Sequence, residues 1–439
     1  MRFGTDGIRG LAVIEIDHKL AYRVGQAIAR IKNNVRIIIS KDTRESGDFI
    51  LCSFVSGALS MGASIVDIGI APTPCVSFLV KKLDFDFGVV ISASHNPAEY
   101  NGIKIFESNG QKLSLDHEQF IERNIKKEHQ AKLECLGKYQ RREKLINIYK
   151  NHLINISNKI LDLKVVLDTS NGASYKIAPS VFRKLGAKVR VIGNKPNGNN
   201  INDKCGALNL ENIKTKVIKT NADVGFAFDG DADRIIAIDE KGNEFDGDQI
   251  IYFIAKKMKE LWHCDINAVV STILTNTAIE KELTKLGIKM LRCDVGDKFV
   301  IDLMNKRNIE IGGEQSGHII IKKFNETGDG VLTAVLISML LNECKTKLSN
   351  ERINKLYHQA TINLKTENKN EVIKNLELLN LKNIIESKYK DLRIILRASG
   401  TEPKIRIMVE HKNKLVANKI LDKLSSKVLE IINNKKGNE

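Results

Sequence analysis

The chain has 439 residues, 42% of them hydrophobic and 28% charged, which is too long for one compact core and excludes a disordered or fibrous chain; roughly three or four domains of ordinary size are expected. The net charge is +16, but the lysines are spread over the whole chain with no interleaved aromatics, and such diffuse charge gives only weak, salt-sensitive affinity, which argues against a nucleic-acid-binding protein. Seven scattered cysteines with no Cys-x-x-Cys pair exclude a disulfide framework and a zinc site and suit a reducing cytoplasm.

The start, Met1 to Gly10, is Gly-rich and polar and lacks the apolar region of a signal peptide. In chain order, Val35 to Ile39 reads as a strand, Ser46 to Met61 as a helix, Ala63 to Ile68 and Phe87 to Ser92 as strands, and Asp116 to Gln130 as a helix. The rhythm restarts after a charged stretch from Arg141 to Lys164. Leu163 to Leu167 is a strand, Tyr175 to Leu185 a helix, and Ala187 to Ile192, Asp223 to Phe228 and Ile235 to Asp239 are strands. A third pass alternates helix Asp246 to Glu260, strand Ala268 to Ser271, helix Thr275 to Leu286, strand Ile288 to Arg292 and helix Gly296 to Asn308. Gly330 to Leu348 reads as a long buried helix, because its apolar run, Val331 to Leu341, is too short to span a bilayer. Such alternation argues for α/β layers around buried sheets. After about Ala360 the pattern changes to two strands, Asp391 to Leu396 and Lys404 to Glu410, and an amphipathic helix, Lys412 to Asn433, which reads as a small α+β unit.

Four segments carry chemistry. Ile91-Ser-Ala-Ser-His-Asn-Pro97 follows a strand, where ligand sites of α/β sheets lie; Ser94 is a candidate nucleophile with His95 beside it, although a hydroxyl in a loop also serves turn backbone. Asp229-Gly-Asp-Ala-Asp-Arg234 sets three carboxylates at alternate positions, and Arg234 alone is too little to balance them, which favours a hard cation such as magnesium or calcium. The same acids with Glu240 mimic an EF-hand loop, but Arg234 stands where that loop needs glycine and the flanks read as strands. Gly312-Gly-Glu-Gln-Ser-Gly-His318 places Glu314, Ser316 and His318 on one Gly-flanked loop, suited to sugar hydroxyls or simply a polar turn. Arg397-Ala-Ser-Gly-Thr-Glu-Pro-Lys-Ile-Arg406 offers Ser399, Gly400 and Thr401 as an anion-binding concavity between Arg397 and Arg406. Weaker supports are Gly4-Thr-Asp-Gly-Ile-Arg-Gly10, Lys41-Asp-Thr-Arg44 and Asn101-Gly-Ile-Lys104.

In this order the segments resemble the α-phosphohexomutase superfamily over essentially the whole chain. Phe3 to Gly10, Ser92-Ala-Ser94 before His95 and Gln315 in the Gly-Glu-x-Ser-Gly loop are most similar to its bacterial phosphoglucosamine mutase branch. The resemblance implies three α/β/α sandwich domains and a C-terminal α+β domain around a central cleft, here expected at residues 1–148, 149–246, 247–362 and 363–439. It implies that Ser94 carries a phosphoryl group and that Asp229, Asp231 and Asp233, with an oxygen on Ser94, hold one Mg2+ per subunit. Glu314 and Ser316 match sugar-hydroxyl contacts. Arg397, Ser399, Gly400, Thr401 and Arg406 match the grip on the phosphate not being transferred. Arg9, His95, Lys104 and His318 match residues around the transfer site, with Lys104 or His318 as the general base. The implied reaction interconverts glucosamine 6-phosphate and glucosamine 1-phosphate through a phosphoserine and a sugar bisphosphate that also serves as primer, on the path to UDP-N-acetylglucosamine and cell-wall precursors.

The alternatives are phosphoglucomutase or phosphomannomutase activity on the same residues and a non-catalytic sugar-phosphate-binding protein. No nucleic-acid or membrane partner is expected, and the oligomeric state stays open, with a homodimer one possibility. Two departures from the family pattern stand out: Ala98-Glu-Tyr100 after the serine loop, and Lys298 where arginine is common, which cannot form the same planar fork.

Overall fold

The computed structural model describes residues 4, 6–127, 129–131, 133, 136–157, 160–399 and 403–436. Ile37, Ile38 and Ile39 are all fully buried, so the strand Arg36–Lys41 is covered on both faces, as strands inside parallel sheets are. It pairs in parallel with Ser64–Ile70 on one side and Phe87–Ile91 on the other. Around it the first sheet runs Ile8–Leu11, Tyr100–Glu107, Phe87–Ile91, Arg36–Lys41, Ser64–Ile70, Tyr139–Arg141, with Tyr100–Glu107 antiparallel to both neighbours. The second sheet sets Lys188–Ile192, Lys164–Asp168 and Val224–Phe228 in parallel and ends with the antiparallel strands Ile235–Asp239 and Glu244–Phe245. The third sets Lys289–Cys293, Ala268–Thr272 and Ile311–Gly313 in parallel, then Ile319–Ile321 antiparallel. The fourth is wholly antiparallel: His358–Lys365, Lys404–His411, Arg393–Ala398. The result is three α/β/α layers and a final α+β layer.

Short polar residues begin several helices. Asp17, Asp246 and Asp329 each accept from a backbone N–H in the first turn of His18–Ala29, Gly247–Trp262 and Gly330–Cys344. Helices His18–Ala29 and Ser46–Ser60 touch backbone to backbone: a Cβ on Gly57 would lie 1.9 Å from the Tyr22 carbonyl oxygen, so only glycine fits.

By contact density the chain divides into two compact units, Met1–Thr272 with Leu286–Arg352, and Ile273–Lys285 with Ile353–Glu439. In the second unit Glu410, wholly buried, pairs with Arg393 at 3.0 Å and accepts from Thr277 N and Gln359 Nε2, while Arg393 donates to the carbonyls of Ile273 and Thr275.

One arrangement recurs. Each of the four candidate segments connects two antiparallel neighbours: Phe87–Ile91 and Tyr100–Glu107, Val224–Phe228 and Ile235–Asp239, Ile311–Gly313 and Ile319–Ile321, Arg393–Ala398 and Lys404–His411. Most expected elements occur within a few residues. The helix expected from Asp116 to Gln130 ends earlier, as Leu115–Asn124. The one expected to Leu348 stops at Cys344, where Lys345 takes a left-handed φ of 48°. Helices His18–Ala29, Thr73–Lys82, Ile146–Asn155, Glu211–Thr220, Lys369–Ile373 and Leu376–Lys388 and the strands Ile8–Leu11, Tyr100–Glu107, Tyr139–Arg141, Glu244–Phe245, Ile311–Gly313, Ile319–Ile321 and His358–Lys365 lie outside the expected elements. Among the described residues no helix is long and apolar enough to cross a membrane.

Candidate active site

The serine loop is held from beneath by a buried guanidinium. Arg44 donates to the carbonyl oxygens of Ser94 (3.0 Å), Asn96 (2.8 Å) and Pro97 (2.5 Å), and its Nε to Asp42 at 3.0 Å. Asp42 also accepts from Ser92 Oγ at 2.6 Å, and Ser92 Oγ accepts from the Ser94 amide at 3.0 Å. Asn202 adds donors to the carbonyls of Ser94 and Asn96. This scaffold keeps Ser94 at φ +54°, a left-handed conformation that non-glycine residues adopt at a cost. The hydroxyl is thereby aimed across at the second sheet, and Ser94 Oγ donates to Asp229 Oδ2 at 2.5 Å. The two loops are in close contact, since a Cβ on Gly230 would sit 2.6 Å from the Ser94 carbonyl.

The acidic turn wraps tightly, with Ala232 at φ +56°. Asp229, Asp231 and Asp233 are all buried, and one oxygen from each lies within 4.8 Å of the others. Arg234 is not the only cation beside them. Lys104, 1% exposed, donates to Asp231 at 2.6 Å and to Asp233 at 2.9 Å, and Thr73 Oγ1 donates to Asp231 at 2.5 Å. Even so, Asp231 Oδ1 and Asp233 Oδ1 are buried without a hydrogen-bond partner. Burial, then the charges of Asp233 and Asp231, push the Asp229 carboxyl well above its usual range. Burial would also raise Asp233, but Lys104 and His318 outweigh it and hold it well below. Carboxylate oxygens left bare beside a carboxyl that resists ionisation are the donor set of a hard divalent cation, and the residues present fit one.

Around this pair the structure gathers the other sequence candidates of the first compact unit. His95 Nδ1 lies 3.4 Å from Ser94 Oγ; burial, then Arg234 and Arg9, bring its pKa down to about 3, so the ring is neutral at neutral pH. Arg9 is ion-paired with Asp6 and reaches Asn96 Oδ1 at 3.5 Å. His318 is buried, with Nδ1 3.9 Å from Asp233 and Nε2 3.5 Å from Asp297, and its Nε2 accepts from Gly328 N at 3.1 Å. Burial pulls the His318 pKa down, but Asp233 and Asp297 outweigh it and raise it. Glu314 Oε1 accepts from Gly296 N at 3.0 Å, and Ser316 is exposed on the same turn. That turn is pressed against the acidic one, for a Cβ on Gly317 would lie 2.1 Å from the Ile235 carbonyl. Lys298 Nζ reaches Glu118 at 3.1 Å.

The second compact unit holds the remaining candidates. Arg397 and Arg406 face one another at one register position of neighbouring strands, and Ser399 N donates to Lys404 O at 2.9 Å. Gly400 and Thr401 lie outside the described residues. Sequence reasoning did not single out Asp6, Thr73, Lys112, Asn202 or Asp297. Asp6 stood inside the motif Gly4 to Gly10 and Asp297 directly before Lys298, and their carboxylates were the available signal. Thr73, between two prolines, offered only helix-start chemistry.

Comparison with known proteins matches four domain families in chain order: phosphoglucomutase/phosphomannomutase alpha/beta/alpha domain I over residues 1–132, domain II over 145–242, domain III over 246–359, and the C-terminal domain over 362–427. The chain is 39% identical to a phosphoglucosamine mutase of Acetivibrio thermocellus, across 98% of this chain and 97% of that one. It is 42% identical to a phosphoglucosamine mutase of Campylobacter fetus, across 96% and 97%. In fold it superimposes on a phosphoglucomutase/phosphomannomutase family protein of Burkholderia thailandensis with a TM-score of 0.81 at 21% identity, covering 98% and 97% of the two chains.

Proposed function

From the premise that this chain belongs to the phosphoglucomutase/phosphomannomutase family, we propose that it interconverts glucosamine 6-phosphate and glucosamine 1-phosphate through a phosphoserine at Ser94. The observation that carries this reading is the 2.5 Å contact between Ser94 Oγ and Asp229 Oδ2 at the acidic turn. The substrate follows the relatives named phosphoglucosamine mutase, at about 40% identity over nearly the whole chain. The product of the forward direction is the precursor an amino-sugar nucleotide needs.

In the first step the P–Oγ bond of phosphoserine breaks as a bond forms from phosphorus to the sugar O1, and the O1 proton goes to a base; of the two expected candidates Lys104 is held as an ammonium by Asp231 and Asp233, which leaves His318 with its ring neutral. The bisphosphate turns around. Ser94 Oγ then takes the phosphoryl group from O6, and a proton is delivered to O6. Asp229, Asp231 and Asp233, with an oxygen on Ser94, would hold one divalent cation, taken as Mg2+, which when bound supplies positive charge against the phosphoryl oxygens. Neutral His95 lies beside Ser94 Oγ, and Arg9 reaches Asn96 of the same loop. Arg44 and Asn202 keep the loop backbone fixed, so the hydroxyl needs no reorganisation when phosphate arrives or leaves. Glu314 and Ser316 would take sugar hydroxyls. Arg397, Ser399, Gly400, Thr401 and Arg406 would grip the phosphate at rest, a recognition that serves either end of the sugar. Domain limits near 148, 246 and 362 fit this division of labour. A cytoplasmic setting is supported by six free cysteines among the described residues.

The test is Ser94→Ala assayed with glucosamine 6-phosphate, Mg2+ and a sugar bisphosphate primer. Turnover should fall by at least about 1000-fold with the thermal transition intact, since the covalent carrier is gone. Near-normal turnover in that variant would sink the reading. Rates on glucose and mannose phosphates below those on glucosamine phosphate are the expected order.

A further inference from the structure

We propose that Lys112 is a positioning residue of the phosphoryl-transfer site, the link that closes a ring of alternating basic and acidic side chains holding Lys104 and His318 in place beside the acidic turn; the inference rests on the mutase reading above. The ring has six members. Lys104 lies 2.9 Å from Asp233 and 3.0 Å from Asp6. Asp6 reaches Lys112 at 2.5 Å, and Lys112 is ion-paired with Asp297. Asp297 stands 3.5 Å from His318 Nε2, and His318 Nδ1 stands 3.9 Å from Asp233, which returns the circuit to Lys104.

The members come from segments far apart in the chain: the glycine-rich start, the strand Tyr100–Glu107 and the turn after it, the acidic turn, the first turn of Asp297–Arg307, and the strand-connecting loop before Ile319–Ile321. No side chain in the ring is more than 19% exposed. Buried ion pairs are weak stabilisers, because desolvation offsets most of the attraction, and apolar side chains of equal volume would stabilise as well or better. What such a circuit does supply is place. Each acid is shared between basic neighbours, so displacing one member leaves a buried charge short of a partner. Lys112 is the cation common to Asp6, which also pairs with Arg9, and to Asp297, which faces His318. Burial alone would raise the Asp297 pKa, and Lys112 is the largest influence holding it instead at about 2. Without Lys112 the candidate acid–base groups on the first and third sheets lose their connection away from the acidic turn. Phosphoryl transfer between two sugar oxygens depends on just such fixed placement.

The experiment compares wild type, Lys112→Met and Lys112→Arg by steady-state kinetics and by 15N NMR of the His318 ring. Methionine should lower kcat by about 10- to 100-fold with KM changed less than about threefold, the signature of lost positioning rather than lost binding. The His318 resonances should shift in the same variant, and arginine, which keeps the charge, should recover most of both. Asp297→Asn, a milder change at the other end of the link, should give losses that do not add to those of Lys112→Met, as for members of one network. A kcat within about twofold of wild type in folded Lys112→Met, unmoved His318 resonances, or additive losses would each overturn the proposal. Absence of turnover in wild type would strike the mutase reading instead, and the His318 resonances would still decide the positioning claim.

Discussion

Arg44 shows what one residue can organise. Its guanidinium serves three carbonyls of the serine loop and one buried carboxylate, which is the fork geometry lysine cannot supply. The sequence offered Arg44 only as a cation near a hydroxyl. Gly328 is a second case. Its N–H donates to His318 Nε2, and a Cβ there would lie 2.5 Å from the imidazole ring. Gly328→Ala should therefore push the ring from its place, costing about 1–3 kcal/mol by overpacking and lowering kcat at least about tenfold. Urea midpoints and kcat measured together check this; an unchanged kcat would show that the ring's position is not critical. Lys104 illustrates the limit of residue-level reading. It stands 127 positions from Asp231, so nothing local could reveal that its ammonium, with Arg234, opposes the acidic turn.

At the scale of elements, hydrophobic runs and caps were legible and close approaches were not. Asn101-Gly102 looks like a turn, yet it lies inside the strand Tyr100–Glu107. The reason is packing: a Cβ on Gly102 would meet the carbonyls of Ile8 and Ser92 at 2.6 and 2.8 Å, so glycine is there to let a neighbouring strand and the serine loop come near. Helix Gly330–Cys344 was legible from its apolar run, but its start holds a titration. Asp329 caps the helix at Leu332 N, accepts from Tyr149 Oη at 2.8 Å and from Asn325 at 2.9 Å, and burial outweighs these bonds to raise its pKa to about 6. A carboxyl that binds its proton more tightly folded than unfolded gives stability that is full below about pH 4 and is lost as pH rises through the folded value. Wild type should therefore lose on the order of 3 kcal/mol relative to Asp329→Asn between about pH 4 and pH 7, asparagine keeping a cap acceptor. Denaturant midpoints for both proteins across that range read the difference; parallel curves would refute it.

For the whole molecule, three of the four candidate segments are turns that meet within the first compact unit. The cation site between these turns should couple binding to folding. With MgCl2 at about 100 times its dissociation constant, stability should rise by about 2.7 kcal/mol, and chelation should remove that gain. Asp231→Asn should abolish the magnesium-dependent shift in unfolding temperature, and a shift that persists in this variant would move the ion elsewhere. The sequence by itself determined the α/β alternation, the four candidate segments and the family resemblance, because these depend on residue types a few positions apart. The tertiary structure alone decided that Ser94 meets Asp229, that Arg44 underlies the serine loop and that Lys104, Asp6, Lys112, Asp297 and His318 form a circuit with Asp233 of the acidic turn. Electrostatic partnership depends on distance through space and on exclusion of water, and the linear order of residues encodes neither until the sheets have packed.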